Sequence, residues 1–441
     1  MTPLDSANGG RADPRRRRAA EETLRIRGAT HRLELARPLH SHPSVKKRIL
    51  FVDDEPNILD GLRNSLRRQR GEWDMVFTLG GPAALEALGK ESYDVVVTDM
   101  RMAGMDGAHL LRQVKERHPA VARLVLSGHA DQDAVASVLP LAHQYLSKPC
   151  KVDDLRITID RVCGLQTLLH DDAIRKVIGS LDRLPSVPQN YWDLTRAAAD
   201  PNSGMDDIAK IVQRDPAMTL KILQLVNSAY FGLAQKVSTI DRAVAYLGTE
   251  VLKSLALGAN VFSNTTVPEI EGFSLERLQA TAVLRAKLAR RFMTGRKGGD
   301  EAFTAALIHD IGSLVLATAL PQLFGEVIRE SDASGRPMYV VEKERFGITH
   351  AEIGAYLQGI WGLPFSIVQA AAYHHSPSEA PSGDLEVLAA LHVADALIDD
   401  RDGGVGAEDA ALDVAFLDRA GCGDKLPQWR ALAAEEMGRL N

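Results

Sequence analysis

The sequence predicts two folds in series: a parallel α/β sheet covered by helices on both faces, then an all-α domain. Three observations carry this. Between Lys47 and about residue 163, apolar strand-like runs alternate with amphipathic helical runs, the alternation that builds a parallel sheet. After about Val152 strand-like runs disappear, and helical segments with caps follow to the end. The chain has 441 residues and 45% apolar content, enough for two or three domains with their own cores.

Composition narrows the function classes. The formal net charge of −6 argues against a broad nucleic-acid-binding surface. Cys150, Cys163 and Cys422 lie far apart, which fits a reducing cytoplasm and neither a disulfide framework nor a zinc ribbon. The apolar stretch nearest to a membrane span, Ala302 to Leu316, carries His309 and Asp310 in its middle and reads as a buried helix. The first residues lack the apolar core of a signal peptide. The expectation is a cytoplasmic protein with neither nucleic acid nor membrane as partner. Residues 1–46, rich in Arg, Gly, Pro and Ala with "RRRR" at 15–18, read as a disordered basic extension.

In the first half, "RILFVDDE", "YDVVVTDM", "ARLVLSGH" and "HQYLSKP" read as strands, separated by helical stretches such as "AHLLRQVKERH". Ligands of a parallel sheet bind beyond the carboxyl ends of its strands. Those ends carry Asp53, Asp54, Asp99, Ser127 and Lys148. Clustered carboxylates call for a hard cation, and Mg²⁺ suits them because it keeps waters and phosphate oxygens. A lysine and a hydroxyl nearby suit a phosphoryl group carried on one Asp.

"VDDEP", "DMRMAGMDG", "SGHAD" and "YLSKP" make residues 47–163 resemble the receiver domain of bacterial two-component response regulators, a five-stranded, doubly wound, flavodoxin-like fold. The resemblance implies that Asp99 accepts phosphate from a histidine kinase. It implies that Asp54 binds Mg²⁺ directly, that Asp53 assists through water, and that the Arg101 carbonyl completes the site with Asp99. Lys148 would pair with the phosphate, Ser127 would be the switch hydroxyl, and Tyr145 the aromatic that follows it inward. The Lys148–Pro149 bond would be cis. Ala103 stands where the family usually has Pro, which loosens the loop without removing a ligand.

The second half is helical. Asp215 and Pro216 open "RDPAMTLKILQLVNSAYFG" as N-cap and first helical residue, with Leu220, Leu223 and Val226 as a stripe. "STIDRAVAYLGTEVLKSLALGANVF" reads as two helices broken at Gly248, Thr249 capping the second. "LPSVPQN", "IVQRDPAMTLKILQLVNSAYFG", "AVAYLG", "LIHDIGSLVL", "FGITHAEIGAYLQGIWGLP" and "AAYHHSP" make the region resemble the HDOD domain. That domain is related to HD phosphohydrolases and HD-GYP cyclic-di-GMP phosphodiesterases, and its known members act mostly as regulatory or interaction modules.

A two-metal hydrolase of that kind needs both ions to hold a hydroxide and clamp the phosphate. The resemblance assigns one ion to His309, Asp310, Asp395 and a His from an earlier helix. It assigns the other to Asp310, His350, His374 and His375. The earlier His is missing: its position falls on Ala280, with Glu276 one turn before as a weak substitute. Ser313 stands where HD-GYP proteins have Lys, and no GYP segment follows "HHSPSEAP". The six residues therefore read as a vestigial metal site for a divalent transition metal, with no catalytic residue. A buried His-Asp pair is also a common core hydrogen bond, and His374 and His375 suit a helix end. His392 and Trp361 read as packing residues.

The domain reading is an extension at 1–46, a receiver at 47–163, a linker helix at 164–180, an HDOD domain at 181–400 and a helical tail at 401–441. Leu155, Ile159, Val162, Leu165 and Leu169 form a stripe that packs on the receiver or pairs with a second chain as a homodimer. The leading function is a response regulator whose non-catalytic output module contacts a signalling protein. Its rival is a receiver-controlled phosphohydrolase acting on a cyclic dinucleotide.

Overall fold

The computed structural model describes residues 46–127, 141–166, 175–176, 178–179, 184–185, 188–200, 203–227, 236–257, 267–383, 385–398 and 412–439. The basic extension, Leu169 and the "SAYFG" stretch lie outside them, as do the side chains of Ser127 and Leu165.

The strands are β1 (Lys47–Asp53), β2 (Trp73–Leu79), β3 (Val95–Asp99), β4 (Ala122–Ser127) and β5 (Gln144–Ser147). They form one parallel sheet in the order β2-β1-β3-β4-β5. Ile49, Leu50, Phe51, Val95 and Val96 are fully buried, because helices cover both faces and leave no polar side for an alternating pattern. β2, which the sequence reading did not single out, is the edge strand. Its middle residues are only half-buried, so its apolar run is weak. Around the sheet lie α1 (Pro56–Ser65), α2 (Gly80–Lys90), α3 (Gly107–Arg117) and α4 (Val152–Gln166). Leu155, Ile159 and Val162 of α4 are buried with Ile49, Phe51 and Leu124, so this part of the stripe is spent on the receiver core.

The helical half comprises α5 (Pro188–Ala199), α6 (Met205–Val212), α7 (Pro216–Val226), α8 (Ile240–Leu257), α9 (Leu275–Phe292), α10 (Gly299–Ile308), α11 (Ile311–Ala319), α12 (Pro321–Ser334), α13 (Met338–Phe346), α14 (His350–Ile360), α15 (Phe365–Tyr373), α16 (Glu386–Leu397), α17 (Val414–Arg419) and α18 (Leu426–Gly438). Asp215 caps α7 by accepting from Met218 N at 3.0 Å. Its second oxygen accepts from Gln279 of α9 at 3.0 Å, so the cap also ties two helices together. Gly248 has φ +74° and breaks α8. Trp429 of α18 is buried and stacks on Phe292, so the tail shares the domain's core.

One expectation needs correcting. Residues 302–316 are not one helix: α10 ends at Ile308 and α11 begins at Ile311, with the His309–Asp310 dyad at the junction. Just after this break, α11 crosses α14 very closely. A Cβ on Gly312 would lie 1.9 Å from the His350 carbonyl oxygen, so only glycine allows the crossing. Gly299–Ala319 contains an 18-residue window with the mean hydropathy, 1.5, of a membrane span, but 78% of that window is buried inside the protein.

The two halves touch. Gln144 of β5 donates to the Ile360 carbonyl at 3.0 Å, at the C-terminal end of α14. Arg123 of β4, 1% exposed, donates to Leu141 O at 2.6 Å and to Gly179 O at 3.0 Å. Leu225 of α7 belongs to the same cluster of buried side chains as Leu141, Ala142 and Tyr145. The face of the sheet's β4–β5 side is thereby covered by helical-domain residues.

Candidate functional site

The strand register explains the first site. Val52 pairs with Thr98, which sets Asp53 and Asp99 side by side at the carboxyl ends of β1 and β3. This is where the strand order switches direction. Oxygens of Asp53, Asp54 and Asp99 lie within 4.8 Å of one another. Lys148 Nζ is 2.6 Å from Asp99 Oδ1 and 3.4 Å from Asp53 Oδ2. The Lys148–Pro149 peptide is cis.

Burial raises the Asp99 carboxyl, while the hydrogen bond and charge of Lys148 pull it back. Burial also opposes the Lys148 charge, but the Asp99 and Asp53 carboxylates win and raise it. Asp54 Oδ2 accepts from Ala103 N at 2.7 Å, holding the loop after β3 that carries Arg101. Gly107 starts α3 directly under Asp99, since a Cβ there would lie 2.3 Å from the Asp99 carbonyl oxygen. Three carboxylates around a point, with an ammonium at their edge, are a donor set for a small hard cation and phosphate oxygens. Receiver domains bind Mg²⁺ at an acidic site of this kind. Ser127 ends β4 opposite Ser147. Tyr145 is buried, and its hydroxyl has no hydrogen-bond partner among the described residues.

The second site lies where α9, α10, α14, α15 and α16 meet. His309 Nδ1 donates to Ala306 O at 2.7 Å, which turns Nε2 toward Asp310 Oδ2 at 3.0 Å and Asp395 Oδ1 at 3.4 Å. A lone pair cannot face two carboxylates favourably, so a proton or a cation must sit there. Burial opposes the imidazolium, yet Asp310 and Asp395 raise the His309 pKa to about 9.

His350 begins α14 behind Thr349, whose hydroxyl and Glu352 form a capping box. Its Nδ1 meets the fully buried Glu342 at 2.7 Å, and its Nε2 lies 3.3 Å from Asp310 Oδ1. His374 Nδ1 donates to Ala371 O at 2.8 Å, leaving a buried Nε2 with no hydrogen-bond partner among the described residues. His375 Nε2 is 3.0 Å from His350 Nε2, and its ring stacks on Tyr339. Ring nitrogens of His350, His374 and His375 all fall within 4.8 Å of one another. Burial, then the neighbouring His309, lowers the His374 pKa to about 3; burial and His374 hold His375 well below its usual value. Burial opposes a charge on His350, yet Glu342 and Asp310 hold its pKa well above the ordinary value. Two neutral imidazoles beside a third that is backed by a carboxylate are a donor set for a transition metal, which would displace the His350 proton on binding.

The assignment of Ala280 as the lost ligand is overturned. Ala280 is on the exposed face of α9, and Glu276 is exposed as well. The side chain that α9 sends to the dyad is Arg285, with Nε 3.0 Å from Asp395 Oδ1 and Nη1 3.4 Å from Asp310 Oδ2. Sequence reasoning passed over Arg285, Glu342 and Gly312. An arginine among Ala282, Ala286 and Ala289 was the available signal, since a buried charge needs a partner. His392 is buried and bonds through Nδ1 to His374 O at 2.8 Å, so it supports the cluster without entering it.

Comparisons with known proteins divide the chain at the same place. The response regulator receiver domain matches residues 49–160, and the HDOD domain matches residues 184–377. A protein of Treponema pallidum (strain Nichols), described as uncharacterized, is 26% identical over 255 residues, 56% of this chain and 48% of its own. The DNA-binding transcriptional regulator NtrC of Escherichia coli (strain K12) is 40% identical over 82 residues, 18% of each chain. The chain spans about half or less of the length of these curated relatives. Among solved structures, the MmoQ response regulator of Methylococcus capsulatus str. Bath is 26% identical, with 57% of this chain and 98% of that chain covered at a TM-score of 0.43. With the receiver match on the parallel sheet and the HDOD match on the helices, the chain joins an N-terminal response regulator receiver domain to a C-terminal HDOD domain.

Proposed function

We propose that this chain is a phosphorelay response regulator, phosphorylated on Asp99 by a histidine kinase, whose HDOD domain signals through protein contacts and not through catalysis. The observation that carries the first part is the Lys148–Asp99 ion pair at 2.6 Å, with Asp53 and Asp54 beside it. An Asp99 oxygen attacks phosphorus, the P–N bond of the phosphohistidine breaks, and the leaving imidazole takes a proton. Lys148 moves from the bare carboxylate to the new phosphoryl oxygens. Mg²⁺, held by Asp53, Asp54, Asp99 and the Arg101 carbonyl, supplies charge neutralisation when bound.

Output then runs through the covered β4–β5 face. Ser127 lies at the end of β4 and Tyr145 on β5, next to Gln144, which grips α14. Repacking of Tyr145 around a phosphorylated Asp99 biases that contact as a population shift. Labelling with a small phosphodonor in Mg²⁺ tests the reading: wild type should incorporate phosphate and Asp99→Asn should not.

The rival reading, a metal phosphohydrolase, draws on the convergence of His350, His374 and His375. Against it stand Ser313, the missing GYP segment, and the arginine placed on both carboxylates. An assay on cyclic-di-GMP with Mn²⁺, Fe²⁺ or Mg²⁺ should give no turnover. Turnover by wild type that Asp310→Ala abolishes would favour the enzyme.

A further inference from the structure

Arg285 is the unusual member of the His-Asp cluster. Its side chain is 3% exposed, on the face of α9 that packs against α10 and α16. A guanidinium stays charged at any working pH, and burying it is costly without carboxylate partners. Here it has two. Nε lies 3.0 Å from Asp395 Oδ1, Nη1 lies 3.4 Å from Asp310 Oδ2, and Nη2 donates to the Ile398 carbonyl at 3.3 Å. The planar fork spans two carboxylates on different helices, which a lysine ammonium would not do in the same way.

Those two oxygens are also the ones that His309 Nε2 faces, at 3.4 Å and 3.0 Å. An ion shared by His309, Asp310 and Asp395 would need their lone pairs at metal–ligand distance. It would then sit against a fixed positive charge. Ligand atoms of His309, His374 and Asp395 do lie within 4.8 Å of one another, but the Arg285 guanidinium already holds the Asp395 oxygen at 3.0 Å and opposes a divalent ion there by charge. The set around His350 does fit. Its three ring nitrogens converge, Glu342 backs His350, and His374 Nε2 is buried with no hydrogen-bond partner among the described residues.

We propose that the Arg285 guanidinium is a built-in cation occupying the place of one ion of a two-ion site. The cluster is thereby a one-ion site, taking a single divalent transition metal on His350, His374 and His375 with Asp310. One ion cannot clamp both the attacking and the leaving oxygen of a displacement. This consequence deepens the non-catalytic reading and rests on it; the ion count does not.

The test is metal stoichiometry on the full chain. The protein is stripped with a chelator, reloaded with Co²⁺ and desalted, and ions per chain are measured by elemental analysis alongside the visible spectrum. Wild type should hold one ion, His350→Ala none, and His309→Ala still one. Arg285→His, which removes the charge and adds a ligand, should hold two. Two ions or none in wild type would overturn the proposal, as would loss of the ion in His309→Ala. A folded Arg285→His that still holds one ion would do the same. If Arg285→His does not fold, the wild-type and His309→Ala counts decide alone. Phosphodiesterase turnover by a wild type holding one ion would sink the non-catalytic reading and leave the one-ion site standing.

Discussion

The Gln144 carboxamide at the start of β5 is hydrogen-bonded to Ile360 at the end of α14, the helix that His350 begins. One rigid helix thus has its N-terminus in the histidine cluster and its C-terminus on the receiver. Gly362, at φ +81°, lets the chain turn away there, since a Cβ would lie 2.8 Å from the Gln144 amide nitrogen.

Gln144→Ala should leave a buried carbonyl without its donor and cost about 1–3 kcal/mol in stability. Backbone amides of α14 should exchange faster, while those of β1 and β3 should not. Unchanged exchange in α14 would show that this bond does not couple the domains.

Phosphorylation of Asp99 should loosen the same contact. Scattering profiles and sedimentation should differ with and without a phosphoryl mimic, and the difference should vanish in Asp99→Asn. Asp53→Asn should weaken labelling through the metal site without abolishing it. Full labelling of Asp99→Asn would refute the site.

Gly312→Ala pushes a Cβ into the His350 carbonyl, backbone against backbone with no flexible side chain to yield. Overpacking of this kind costs roughly 1–3 kcal/mol, and the rigid contact places it at the upper end. Thermal melting measures the loss. A melting temperature equal to wild type would show that the helices part without cost.

Glu342→Gln keeps the shape but removes the charge that orients His350. Metal affinity at the His350 set should fall about 10–100-fold, as is usual when a carboxylate partner of a ligating histidine is lost. A Co²⁺ titration reads this directly, and an unchanged midpoint would detach Glu342 from the site.

Ala280→His should alter neither metal content nor stability by more than about 0.5 kcal/mol, because the residue is exposed. Paired with Arg285→His, it separates the two positions on one helix. A gain of metal in Ala280→His would mean that α9 is rotated from the orientation described.

Residue order along the chain determined the receiver site. Acids that end apolar runs must gather above a parallel sheet, because parallel strands all finish on the same edge. The strand-end motifs therefore placed Asp53, Asp54, Asp99 and Lys148 together from the sequence alone, and the cap at Asp215 was equally local. β2 stayed hidden because an edge strand with half-buried residues lacks a strong apolar period.

The helical site was legible only in its ligand types. Ala280 and Arg285 are five residues apart, about 140° around a helix, so both cannot face the dyad. Which of them does depends on the face of α9 that α10 and α16 cover, and that is a property of packing between segments distant in sequence. The same holds for Gln144 and Ile360, 216 residues apart. Nothing local to either residue encodes the partner, so only the tertiary structure decided that the dyad meets an arginine and that the helix begun by His350 is held by the receiver.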